Sequence, residues 1–163
     1  MSDDIIVEPL TQEAFAPFGD VIDISDAPTA MINRGMCARY SSLARLGITH
    51  GSAVGISIFE AKAYALPLRL EMVERHPLGS QAFLPASPEP FLVIVAPNDG
   101  DRPARPRAFM TAPGQGVNYL RNTWHGVLTP LVPSRFFVID HIGGGANLEE
   151  HWFDTPYVVH AAG

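Results

Sequence analysis

The chain has 163 residues, 47% of them hydrophobic and 17% charged, with a net charge of −6. That is enough apolar material for one well-formed core over residues 1–163, and it lies far from the composition of a disordered chain. Lys62 is the only lysine, the arginines are scattered, and no basic run or stripe occurs, which argues against nucleic acid and anionic membranes as partners.

Cys37 is the sole cysteine, so an internal disulfide and a thiolate metal site are both excluded; it reads as a small buried hydrophobe. The acidic start, Met1-Ser2-Asp3-Asp4, has no signal-peptide pattern, and the longest strongly apolar run, Phe91 to Ala96, is too short to span a bilayer. A reducing cytoplasm is the expected compartment.

In chain order, Thr11 is placed to cap a short helix running through Phe15, which ends before Pro17 and Gly19. Strand signals dominate after that: Ala53 to Glu60, Leu66 to His76, Gln81 to Leu84, Phe91 to Ala96, Arg107 to Thr111, Gly116 to Arg121 and Arg135 to Ile142. Turn clusters separate them, among them Pro77-Leu78-Gly79, Pro97-Asn98-Asp99-Gly100 and Gly143-Gly144-Gly145. Many short strands with turns between them predict an all-β sandwich or barrel. The tail from Asn147 to Trp152 reads as a helical turn or a loop.

The stretch Leu66 to His76 carries the chemistry. Strand side chains alternate faces, so in one unbroken strand Leu68, Leu70, Met72, Glu74 and His76 share a side, opposite Arg69, Glu71, Val73 and Arg75. The face that buries leucines would then end in a carboxylate and an imidazole, and buried charge is costly unless paired, hydrogen-bonded or bound to a metal. After the Pro77–Gly79 turn, Gln81 is placed to point back at the same spot, and Trp124-His125 offers a second imidazole. Glu74, His76, Gln81 and His125 form an N/O donor set that suits Ni²⁺, Mn²⁺, Fe²⁺, Co²⁺ or Zn²⁺. The plainer reading is that Glu74 pairs with an arginine and His76 bonds a turn carbonyl. Asp140 shares a face with Phe136, Val138 and Ile142, where a carboxylate can orient a histidine. His141 faces the other way, and His50, His151 and His160 carry no expected role.

The run Glu74-Arg75-His76-Pro77-Leu78-Gly79-Ser80-Gln81-Ala82-Phe83, and the run Gly114-Gln115-Gly116-Val117-Asn118-Tyr119 through Arg121-Asn122 to Trp124-His125, resemble the signatures of the ureidoglycolate lyase family. Pro9 to Phe15, Phe18 to Ile22, Asn33, Arg39-Tyr40 and Ile139-Asp140 are similar to it too, so the resemblance covers nearly the whole chain. It implies a cupin-like double-stranded β-helix barrel, a homodimer, a place in allantoin and purine degradation, release of urea without hydrolysis, and a divalent metal such as Ni²⁺. The usual cupin motif has two histidines, a carboxylate and a third histidine; here Glu74 stands at the first position and Gln81 at the carboxylate position.

Ureidoglycolate carries a hydroxyl, a carboxylate and a ureido nitrogen on one carbon. Its elimination needs a base for the hydroxyl proton, an acid for departing urea and a grip on the carboxylate. Glu74, His76 and His125 are the candidate acid–base groups, and which of them is the base stays open. Arg39 and Arg121 are the candidate carboxylate anchors, with Tyr40, Tyr119 and Asp140 beside them in the expected substrate site. Trp124 and Phe83 read as core or pocket wall. Two other functions fit the same residues: a hydrolase attacking the ureido carbonyl and releasing ammonia, and a non-catalytic cupin that binds a small carboxylate. A purely structural β-domain would leave the donor set unexplained.

Overall fold

Short apolar runs punctuated by glycine and proline make strands and tight turns, and in the computed structural model, which describes residues 2–24 and 26–163, strands account for nearly all regular structure. In order they are β1 (Asp4–Ile6), β2 (Glu8–Pro9), helix α1 (Gln12–Phe15), β3 (Gly19–Ile22), β4 (Ala30–Ile32), β5 (Cys37–Arg39), β6 (Ala53–Ala61), β7 (Leu68–Arg75), β8 (Gln81–Pro85) and β9 (Phe91–Ala96). There follow β10 (Asn98–Asp99), β11 (Arg102–Pro103), β12 (Arg107–Met110), β13 (Gly116–Tyr119), β14 (Trp124–His125), β15 (Thr129–Pro130), β16 (Ser134–Ile142) and β17 (Glu149–His160). As expected, Thr11 caps α1, its hydroxyl oxygen accepting from the Ala14 amide.

Two sheets face each other. The larger runs β1-β17-β7-β14-β9-β12-β2, with β15 also on β9; the smaller runs β3-β13-β8-β16-β6. Between them lies a core of Phe91, Val93 and Val95 against Phe83, Val117, Tyr119, Phe136 and Val138, with Phe15 of α1 inserted beside Phe109 and Tyr119. The opposite face of β9, through Leu92, Ile94 and Ala96, joins a second cluster with Ile5, Leu70, Val73, Trp124 and Val159. Ile5 and Val159 come from the far flank of the same sheet, on β1 and β17, so the larger sheet curls back over itself and the whole is a cupin-like β-barrel. Burial on both faces is why Phe91 to Ala96 is apolar without alternation.

Close packing leaves room only for glycine at several joints, two of which border the site. A Cβ on Gly19 would lie 1.8 Å from the Asn118 carbonyl oxygen, and one on Gly79 would lie 2.9 Å from the His141 Cβ. The second contact seats the turn after His76 flush against β16.

Four expectations change. The tail is not a helical turn: after Leu148 it becomes β17, the longest strand. β7 does not alternate unbroken, because Leu70 and Val73 both enter the second cluster; its partner β17 slips register there, with Met72 opposite Trp152 but Leu70 opposite Tyr157. The strand expected to reach Arg121 stops at Tyr119, and Asn122 turns the chain with φ 63°. Cys37 is exposed, not buried, because the β4–β5 hairpin stands away from both cores with all its strand residues exposed.

Candidate active site

The ends of β7 and β14 place Glu74 directly opposite His125, and on the other side Glu74 faces Glu150 of β17. The Pro77–Gly79 turn then returns the chain to Gln81, at the start of β8. Gln81 sits in a cross-strand row between Tyr119 of β13 and Asp140 of β16, and Asp140 in turn lies opposite Gly55 of β6. Glu74, His76, Gln81, His125 and Asp140, read from distant parts of the sequence, are thus gathered at one end of the barrel.

Hydrogen bonds fix the orientation of each group. Asp140 can only accept, so the Gln81 amide nitrogen donates to it at 3.0 Å, which aims Gln81 Oε1 at His76 Nε2, 3.1 Å away. His76 Nδ1 donates to the Asn147 carbonyl at 2.8 Å, and His125 Nδ1 donates to the Gly126 carbonyl at 2.8 Å. Each ring therefore keeps Nε2 for the site. His125 is 2% exposed and its Nε2 has no hydrogen-bond partner among the described residues. Its ring stacks on Tyr119 with centroids 4.2 Å apart and planes 3° from parallel. The ligand atoms of Glu74, His76 and His125 lie within 4.8 Å of one another.

Burial sets the protonation states. It pushes His125 down to about 3, so that ring is neutral at physiological pH. Burial also raises the Glu74 carboxyl; the neighbouring His76 opposes the rise, and the charge of Glu150 adds to it. Tyr119 is raised as well, first by burial and then by Glu74, and stays a phenol. Among the described residues no arginine, lysine or histidine forms an ion pair with Glu74. Arg75, on the opposite face, bonds Glu149 and covers the Trp124 ring instead.

The donor set fits a divalent cation. With Nδ1–H committed to Asn147, a neutral His76 turns its Nε2 lone pair toward the lone pairs of Gln81 Oε1. That contact is favourable only if the ring is protonated or a cation sits between the two atoms. Their 3.1 Å separation is close to the spacing of neighbouring donors in one coordination shell, about 3.0–3.4 Å for bonds of about 2.1 Å. An orphaned imidazole nitrogen beside a half-buried carboxylate points the same way.

The remaining expected residues lie further out. Tyr119 forms a wall of the site. Arg121 occupies an exposed turn at the rim, and the next residue, Asn122, donates its amide to the His76 carbonyl. Arg39 is exposed on the β4–β5 hairpin, and Tyr40 lines a hollow with Val21 and Asp23. Those neighbours belong to the end of β3 near Ile22, opposite Gly116, whereas the site lies at the other end, where Gly19 is opposite Tyr119. His141 does face away from Asp140, bonding the Ser52 hydroxyl. Sequence reasoning missed Glu150 and Asn147, both in the tail whose pattern it could not read; Asn147 acts partly through its backbone carbonyl, which leaves no mark in a sequence.

An all-β cupin-like barrel with two imidazoles, a carboxylate and an amide converging in its mouth defines a cupin-like small-molecule enzyme whose clustered donors could hold a metal ion. A family model described as ureidoglycolate lyase matches residues 2–160. The chain is 56% identical over 156 residues to a protein named ureidoglycolate lyase from Rhodobacter capsulatus, covering 95% of this chain and 97% of that one. It is 54% identical over 158 residues to a protein of the same name from Chelativorans sp., covering 96% of each. A protein named ureidoglycolate lyase 2 from Rhizobium meliloti is 53% identical over 158 residues, covering 96% of this chain and 97% of that one. The chain belongs to the ureidoglycolate lyase family and is an enzyme, a lyase.

Proposed function

We propose that this barrel splits ureidoglycolate into glyoxylate and urea within allantoin and purine degradation, using the Glu74–His76–Gln81–His125 cluster as its reaction centre. The observation that carries the reading is the convergence of those donors around the unpartnered Nε2 of His125. In the reaction the substrate hydroxyl loses its proton, the C–N bond breaks, and the ureido nitrogen gains a proton. No water is consumed, so one group can take the proton and return it.

That proton shuttle falls to Glu74, whose carboxylate lies within 4.8 Å of the His76 and His125 ring nitrogens and whose proton affinity burial raises above that of an exposed carboxylate. His125, held neutral, and His76, with Nδ1–H fixed by Asn147, present Nε2 as ligands together with Gln81 Oε1 and one oxygen of Glu74. A divalent ion such as Ni²⁺ in that set would lower the hydroxyl pKa and orient the substrate. Asp140 holds Gln81 in register, Tyr119 walls off solvent, and Arg121 at the rim grips the carboxylate.

A homodimer is the proposed assembly. β6 is an edge strand exposed along nearly its whole length, with Ile56 74% and Ile58 60% exposed, and an apolar edge of that kind calls for cover. In such a dimer the exposed hairpin is the route by which Arg39 and Tyr40 of one copy would reach a site in the other. The proposed compartment is the cytoplasm, where the exposed Cys37 would stay reduced; no helix among the described residues is long and apolar enough to cross a membrane.

The test is urea release from ureidoglycolate by purified protein, before and after chelation and after returning Ni²⁺ or Mn²⁺. Urea that disappears on stripping and returns with metal supports the whole reading. Urea that survives stripping keeps the lyase and removes the ion. Ammonia in place of urea sinks the lyase in favour of a hydrolase.

A further inference from the structure

Asn147 touches the site from a loop to which no catalytic role has been given. It lies between the glycine run 143–145 and β17, and it makes two contacts with the segment that carries His76. Its backbone carbonyl accepts His76 Nδ1–H at 2.8 Å, and its side-chain Oδ1 accepts the Leu78 amide, also at 2.8 Å. The second bond fixes the first: a carbonyl in a glycine-rich loop has no reason to stay beneath an imidazole unless the loop is pinned. The turn it grips is itself seated rigidly, with the Leu78 carbonyl accepting from Thr49 and Gly79 pressed against His141.

We propose that Asn147 is a positioning residue that sets the tautomer of His76. By clamping the β16–β17 loop to the Pro77–Gly79 turn, it holds a carbonyl under Nδ1, keeps the ring proton there and leaves Nε2 for the reaction centre. Gln81 cannot do this from the other side, since its amide oxygen faces Nε2 and on its own would draw the proton to the wrong nitrogen. Two acceptors thus compete for one proton, and Asn147 decides the outcome. A short side chain with an oxygen at the right reach is required; aspartate keeps it and alanine does not.

The inference rests on the cluster being the active site, and its test is independent of turnover. In metal-free protein, long-range ¹H–¹⁵N spectra of the histidine rings, with His76 assigned by its loss in His76→Gln, report which nitrogen carries the proton. In the unsubstituted protein, His76 is expected as the Nδ1–H form with a slowly exchanging ring proton. Asn147→Ala is expected to shift the ring toward Nε2–H, to lower urea release by about tenfold or more with the Michaelis constant little changed, and to weaken Ni²⁺ binding by about 10–100-fold. Asn147→Asp is expected to restore all three. The proposal falls if His76 carries its proton on Nε2 in the unsubstituted protein, or if the tautomer is the same in Asn147→Ala, whatever happens to the rate. Absence of urea from the unsubstituted enzyme would overturn the lyase reading alone, leaving the spectra to decide Asn147.

Discussion

Removing the His125 imidazole should flatten the dependence of stability on pH. Burial holds this ring at about 3, against 6.5 for an exposed histidine. Its folded pKa is depressed, so as pH falls the unfolded chain takes up the proton first, and stability present above 6.5 drains away toward 3. With about 1.36 kcal/mol per pKa unit, the ring contributes a loss of about 2 kcal/mol between pH 7.5 and pH 5. Glu74 works in the opposite sense: its raised pKa gives stability that is present at low pH and lost as pH rises. That contribution persists when His125 is replaced, so the comparison isolates the imidazole. The substitution is His125→Asn, whose side-chain amide can keep a donor for the Gly126 carbonyl. Guanidinium unfolding of chelator-treated protein, followed by tryptophan fluorescence at pH 7.5, 6 and 5, measures the difference. The unsubstituted protein should lose about 2 kcal/mol more than the variant over that range. Equal losses in the two proteins would refute the claim that His125 is buried neutral, and with it the assignment of an available Nε2.

Asp140→Asn is expected to let the Gln81 amide rotate, lowering urea release and Ni²⁺ affinity by about 10–100-fold while the melting temperature stays close to the parent; unchanged metal binding would remove Asp140 from the site. Arg121→Lys is expected to raise the Michaelis constant with little change in turnover, because an ammonium cannot make the planar two-point contact with a carboxylate, and steady-state kinetics decide it. Ile56→Asp, at one of the most exposed apolar positions of β6, is expected to halve the mass seen by light scattering; a parent that is already monomeric would end the dimer proposal.

What the sequence revealed depended on how local each determinant is. Phe91 to Ala96 was readable to the residue because a run buried on both faces is apolar throughout. The α1 cap at Thr11 was readable because capping spans only three residues. Glu74, His76 and Gln81 could be placed together because one tight turn separates them, and a turn constrains direction. β17 was hidden for the opposite reason: it carries charge and aromatic residues on both faces and slips register between Trp152 and Tyr157, so no period of two survives. The hairpin was missed, and Cys37 misplaced, because composition says nothing about a segment that packs on neither core. Arg121 was drawn onto a strand because nothing in its own identity announces the left-handed turn at Asn122.

The electrostatics of the site explain why its polar groups point as they do. Asp140 accepts only, which turns the oxygen of Gln81 inward; two backbone carbonyls take the Nδ1 protons of His76 and His125, which turns both Nε2 lone pairs toward the site. Glu74 adds a carboxylate, and Glu150 stands behind it in the ladder. Inward lone pairs gathered with no ion pair to Glu74 among the described residues repel one another, and the proposed substrate is itself an anion. Protonating the rings would relieve this, but burial opposes that for His125. A single cation at the focus of Glu74, His76, Gln81 and His125 would resolve all of it together. It would satisfy the orphaned nitrogen, separate the lone pairs of Gln81 and His76, and turn a centre that repels a carboxylate into one that holds it.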